Sequence, residues 1–163
     1  KKAVRHTFQQ PDDRHVFGYT AEEAHRLPRL LANEPGLEVL TPLIDRGLTK
    51  ADCHALLHSQ GIKRPALYDL GYQNNNCIPC VKGGMGYWNA IRRDFPEAFE
   101  RMAILERDIG HAVCSEEIPG SGRKKRPVWL DELDPDRGDF QQDQPPSCSI
   151  ACAITEVEIG APS

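Results

Sequence analysis

Residues 67–88 read LYDLGYQNNNCIPCVKGGMGYW, and the rest of the chain is organised around this stretch. Cys77 and Cys80 form a C-x-x-C pair in a tight, proline-containing turn. That spacing lets two thiolates converge on one metal, because turn amides both shape the loop and stabilise charge on sulfur. A second pair, Cys148 and Cys152, stands four apart and shares one face if that segment is helical. Four thiolates from two separated pairs match a closed tetrahedral zinc site or a cysteine-ligated [4Fe-4S] cluster, and thiolate softness does not separate the two. The plainer reading of Cys148 and Cys152 is as small core residues, since free cysteine is commonly buried. A thioredoxin-like redox pair at Cys77 and Cys80 lacks the βαβ context that precedes such motifs.

Directly after the turn come Lys82, Gly83, Gly84 and Gly86. Glycines permit close backbone approach, and a lysine beside them can meet a phosphate. KGGMG is not a P-loop, however, because the Gly–Lys–Ser/Thr group at the required spacing is missing. The alternative is a tight turn packed on the cysteine site, with Tyr87 and Trp88 covering it. Of the remaining thiols, Cys53 reads as a packed helix residue, and Cys114 as an unpaired thiol in polar surroundings. His54 and His58 are one turn apart but have no third ligand beside them.

Working outward, HVFGYTAEEAHR (15–26) reads as a strand ending at Gly18, then a turn, then a helix. Thr20 and Glu23 have capping-box spacing. Ala21, Ala24, Leu27 and Leu31 make the inner face, with Pro28 kinking or ending the helix. Leu37–Leu40 suits a short buried strand that Pro42 closes. The segment 49–60 is a helix capped by Thr49 and Asp52 and stopped at Gly61. IKRPALYDLGYQNNN (62–76) holds one helical turn at most, followed by a polar loop. DFPEAFERMAILERDIG (94–110) is the clearest helix, with Phe95, Phe99, Met102, Leu105 and Ile109 as its core stripe, Asp94 as cap and Gly110 as stop. Residues 115–127 read as a polar loop whose Lys–Arg run is a solvated turn or a contact for a polyanion. RGDFQQDQPPS (137–147) reads as linker, with the RGD triplet carrying no physical support.

The whole chain has 163 residues, enough for about one domain, and a net charge of −4 with a pI near 5.9. There is no whole-molecule basic footprint for nucleic acid. No apolar run approaches the ~18 residues that span a bilayer. The opening KKAVRHTFQQ lacks the apolar stretch of a secretory leader. Six cysteines without an export signal point to a reducing cytoplasm and to metal or redox chemistry rather than disulfides.

Taken together, VFGYTAEEAHR, LTPLIDRGLTKADCHALL and GIKRPALYDLGYQNNNCIPCVKGG resemble the carboxyl-terminal half of the phosphoadenylylsulfate (PAPS) reductase-like family, of the adenine-nucleotide alpha-hydrolase group. The version with NNNCI-x-CVKGGMGYW and a later LDEL-x-P-x-RGD resembles a bacterial and phage branch. The likeness covers most of residues 14 to 110, weakens through residue 152, and is most specific at 67–88. It implies a helix-rich α/β chain: the distal part of a Rossmann-like domain over residues 1–48, and a helical, cysteine-rich region over 49–163. It implies that Gly18, Thr20, Glu23 and Arg26 frame a nucleotide pocket, with Arg26, Lys82 and the Gly83 and Gly84 amides meeting anionic groups. In cluster-containing relatives, the motif matched by Cys77 and Cys80 holds half of a [4Fe-4S] centre. The SGGKDS phosphate loop of the family does not occur in this chain, nor does the upstream cysteine pair. ATP or PAPS is therefore expected as a ligand of a longer protein or of a complex with a partner. The expected function is that of part of a PAPS-reductase-like enzyme handling an adenine nucleotide or sulfonucleotide. A non-catalytic alternative is a zinc-stabilised module that binds a protein, or a nucleic acid through the basic turn 123–126.

Overall fold

The computed structural model describes residues 7–10, 12–122 and 124–146. It is mixed α/β and rich in helix, with two small two-stranded sheets. The described residues up to Arg64 form one compact unit and those from Pro65 onward a second. Among the described residues no helix is long and apolar enough to cross a membrane.

In the first unit, β1 (His15–Val16) pairs in parallel with β2 (Val39–Leu40), in register His15 to Val39 and Val16 to Leu40. Between them lie a 3₁₀ turn (Ala21–Glu23) and helix α1 (Arg26–Asn33). Pro28 sits in the first turn of α1, where a missing N–H leaves no intrahelical bond unmade, so it opens the helix rather than ending it. The inner face turns on Leu30, which is 2% exposed, while Leu31 is 44% exposed and points outward. Pro42 follows β2 closely and is itself the first residue of a short helix, α2 (Pro42–Asp45). Helix α3 (Lys50–Ser59) begins where its capping residues place it. The Thr49 Oγ1 accepts the Asp52 N–H at 3.1 Å, and the Asp52 carboxylate accepts the Thr49 N–H at 2.8 Å. Gly61 stops it with φ +66°, a left-handed conformation that glycine adopts without strain.

The second unit is built on two consecutive helices, α4 (Met85–Asp94) and α5 (Pro96–Ile109), separated by the single residue Phe95. KGGMGYW thus leads directly into a helix, with Gly84 as its N-cap, and Asp94 ends α4 instead of capping α5. Pro96 occupies the first position of α5, the one helical site that tolerates it well. Tyr87, Trp88 and Ile91 on α4 are almost fully buried against Leu67, Tyr72, Phe99, Cys114, Leu130 and Leu133. Burying a side chain such as Ile91 or Leu130 stabilises the unit by about 1.5–3 kcal/mol. The stripe on α5 is rotated from the expected one. Phe99 and Glu106 are buried, whereas Leu105 and Ile109 are 45% and 67% exposed.

Within the stretch 115–127 expected as a polar loop, both ends are paired strand: β3 (Cys114–Glu117) pairs antiparallel with β4 (Lys125–Val128). Glu116 bridges to Arg126 across the pair and to Arg137 beyond it, so part of the basic run is engaged in the fold. Cys114 faces the core at 4% exposure, which corrects its reading as a thiol in polar surroundings. Burial, with a smaller push from Glu106 and Asp143, raises its thiol from 9.0 to about 12. The neutral thiol is therefore favoured in the folded state. Its contribution to stability is present below pH 9 and is lost as the pH climbs toward 12. We expect the urea midpoint of the protein to fall above pH 9, and Cys114→Val to flatten that fall. Superimposable pH profiles for the two proteins would contradict this.

The 3₁₀ turn at Leu130–Glu132 follows β4 and is anchored by Leu130, which has no exposed surface. Of the expected linker 137–147, the described part 137–146 is largely exposed but anchored: Phe140 packs on the core and Pro145 is buried. Gly138 has φ +85°, and a Cβ there would overlap Gly86 and meet the Asp143 carboxylate at 2.6 Å.

Candidate functional site: the cysteine turn

The approach to Cys77 is fixed by side-chain amides. The Gln73 N–H donates to Gln144 Oε1 at 2.6 Å, and Gln144 Nε2 donates back to the Gly71 carbonyl at 3.1 Å. Asn74 Nδ2 donates to the Pro145 carbonyl at 3.2 Å, and Asn76 Nδ2 to the Pro146 carbonyl at 3.1 Å. The three asparagines before the cysteine turn therefore include two that tie residues 145 and 146 alongside it. Pro145 is itself buried.

Cys77 is exposed and Cys80 half-buried, and both are free thiols. The Ile78–Pro79 peptide between them is cis. Ile78 and Cys80 pack against the core of the unit. The Cys80 N–H donates to the Tyr87 hydroxyl at 2.8 Å. Tyr87 is 1% exposed, and burial pushes its phenol up to about 12. The neighbouring Cys80 and Cys77 thiols add to that shift, and the Cys80 amide opposes it.

The glycines that follow have steric reasons of their own. A Cβ at Gly83 would overlap the Tyr87 ring, and one at Gly84 would meet the Asp143 carboxylate at 2.6 Å. Their amides are also engaged: the Gly83 N–H donates to the Cys80 carbonyl at 3.1 Å and the Gly84 N–H to the Asp143 carbonyl at 2.8 Å. The Asp143 carboxylate further accepts the Gly86 N–H at 2.8 Å and the Asp139 N–H at 3.0 Å. The amino-terminal turn of α4, which favours negative charge, thus has a carboxylate of the same chain on it. Lys82 is exposed beside this arrangement.

The remaining residues of the expected nucleotide pocket lie in the first unit. Gly18 is exposed, its φ is not positive, and a Cβ there would meet nothing within 4 Å, so its backbone does not demand glycine. The Thr20 N–H donates to Glu23 Oε2 at 3.4 Å. Glu23 pairs with Arg26, whose guanidinium lies 4.4 Å from the centre of the Tyr19 ring. This is a local cluster in which the cation already faces a carboxylate and an aromatic face.

Cys148 and Cys152 lie outside the described residues. Among the described residues no group of three or more His, Cys, Asp or Glu side chains gathers as a metal site. The Cys77 and Cys80 thiols do suit a soft cation as half of such a site: they are free, accessible or half-buried, and set in a turn pinned to the core. Asp143 and the Tyr87 hydroxyl carry no signal in the sequence, because their partners are distant along the chain or are backbone groups. Asn74 and Asn76 are legible there only as part of a polar loop. Comparison with known proteins found no matching family model, no matching curated protein and no matching solved structure.

Proposed function

We propose that Cys77 and Cys80, together with Cys148 and Cys152, hold a zinc ion or a [4Fe-4S] cluster that stabilises the cysteine turn. The observation that carries this reading is the pairing of Asn74 and Asn76 with the carbonyls of Pro145 and Pro146. Asn76 is bonded to Cys77, and Cys148 follows Pro146 by two positions. Two residues of extended chain reach at most roughly 7 Å. The tether is thus short enough to keep Cys148 near the cysteine turn. Bound there, zinc supplies folding energy directly, and a cluster supplies in addition the capacity to exchange an electron.

The wider reading is that the chain is part of a PAPS-reductase-like protein that handles an adenine nucleotide or sulfonucleotide. Its support is the resemblance of residues 14 to 110. The geometry favours the stabilising role of the metal over nucleotide chemistry within the second unit, because the Gly83 and Gly84 amides already have acceptors in the chain.

Metal analysis of anaerobically purified wild type, Cys77→Ser and Cys148→Ser tests the reading. We expect about one zinc, or about four iron with matching sulfide, per wild-type chain. Both variants should lose nearly all of it. Either variant retaining the wild-type content would overturn the shared site.

A further inference from the structure

The cysteine turn and α4 are joined by a polar contact from the Cys80 N–H to the Tyr87 hydroxyl at 2.8 Å. Tyr87 is held more firmly than its place in the first turn of a helix requires. Its ring stands edge-on to Tyr72, with centroids 6.1 Å apart, and edge-on to Trp88 at 5.7 Å. The ring also lies so close to Gly83 that a side chain there would overlap it. The helix beneath it is fixed in turn by the Asp143 carboxylate on the Gly86 amide. A rigid ring therefore presents a hydroxyl to the backbone of a residue whose sulfur belongs to the proposed metal site.

We propose that Tyr87 is the positioning residue of this site: its hydroxyl holds the Cys80 amide and so sets the turn from which the Cys77 and Cys80 sulfurs reach the metal. This rests on the metal reading above. Without the hydroxyl, the half-buried Cys80 N–H has no acceptor and the turn is no longer registered against the helix. Groups that orient ligands in this way typically change metal affinity by about 10–100-fold when removed.

The test uses the full chain with zinc and with cobalt(II) as probes. Tyr87→Phe removes the hydroxyl and keeps the ring. Tyr72→Phe is the matched control, since it removes a hydroxyl from the same aromatic cluster that donates instead to Asp94 at 3.0 Å. We expect Tyr87→Phe to weaken zinc binding about 10–100-fold in chelator competition, and to alter the thiolate-to-cobalt absorption bands. Tyr72→Phe should leave both at wild-type values. Cys77-dependent zinc uptake with wild-type affinity and spectrum in Tyr87→Phe overturns the positioning role alone. Equal weakening in Tyr72→Phe also overturns it, because a general loosening of the cluster then explains the effect. Absence of Cys77-dependent uptake in the wild type, both of zinc and of iron with sulfide on anaerobic reconstitution, overturns the metal reading, and the positioning role with it.

Discussion

Glu106→Ala should destabilise the second unit by about 3–5 kcal/mol, the largest loss foreseen for any single side chain in it. Glu106 is 2% exposed on α5, and its carboxyl group accepts the Val113 N–H at 3.1 Å and the Leu130 N–H. One side chain thus closes the helix against both the entry to β3 and the 3₁₀ turn after β4. Its removal strands the buried Leu130 amide and the half-buried Val113 amide, at about 1–3 kcal/mol each, and opens a void beside Leu130. Glu106→Gln should recover only part of the loss, since one of its two terminal atoms becomes a donor facing an N–H. Urea denaturation followed by tryptophan fluorescence reads the effect, because both tryptophans belong to this unit. A Glu106→Ala protein within about 1 kcal/mol of wild type would contradict the role assigned to this carboxyl.

Gly86→Ala is the second large effect, and it connects the fold to the site. A Cβ at position 86 would stand 2.6 Å from the backbone nitrogens of Asp139 and Phe140. Backbone cannot rotate away as a flexible side chain can, so residues 138–143 must shift as a body. Overpacking of this kind costs about 3 kcal/mol. The displaced segment runs on directly into Gln144, Pro145 and Pro146, which hold the loop of residues 73–76. Gly86→Ala is accordingly expected to lower both the thermal midpoint and the metal content. Gly18→Ala is the control: it meets nothing within 4 Å and its φ is not positive, so it should be nearly silent. Equal midpoints and equal metal content for the two variants would contradict the interlock.

Signals along the chain are readable where the physics is local. The Thr49–Asp52 cap and Gly61 bound α3 because each acts on amides within a few residues of itself. The three- and four-residue steps of Phe95, Phe99 and Met102 mark the inner face of α5 for the same reason. That face then departs from the apolar pattern at Glu106, since the two amides that make its burial tolerable come from residues 7 and 24 positions away. The hairpin at 114–128 is hidden as well. Its strands carry Ser, Glu, Lys, Arg and Pro, and Pro127 argues against a strand unless it lies at an edge. Gly83, Gly84, Gly86 and Gly138 look alike in sequence, although each is required by a different neighbour brought near by the fold. The 3₁₀ turn at Ala66–Tyr68 and the two strands of the first unit are legible, but the parallel pairing of the strands and their extent are not: two residues per strand is a tertiary outcome. At the site, spacing makes Cys77 and Cys80 legible. The amide ties to residues 145 and 146, which support bringing a second pair to the first, become visible only in three dimensions.

X-ray absorption at the metal edge of the anaerobically purified full chain decides whether both cysteine pairs serve one centre. A shared centre gives a first coordination shell of four sulfur atoms at about 2.3 Å, reduced in sulfur number by Cys148→Ser as well as by Cys77→Ser. A wild-type shell of two sulfur atoms completed by nitrogen or oxygen, unchanged by Cys148→Ser, would refute it.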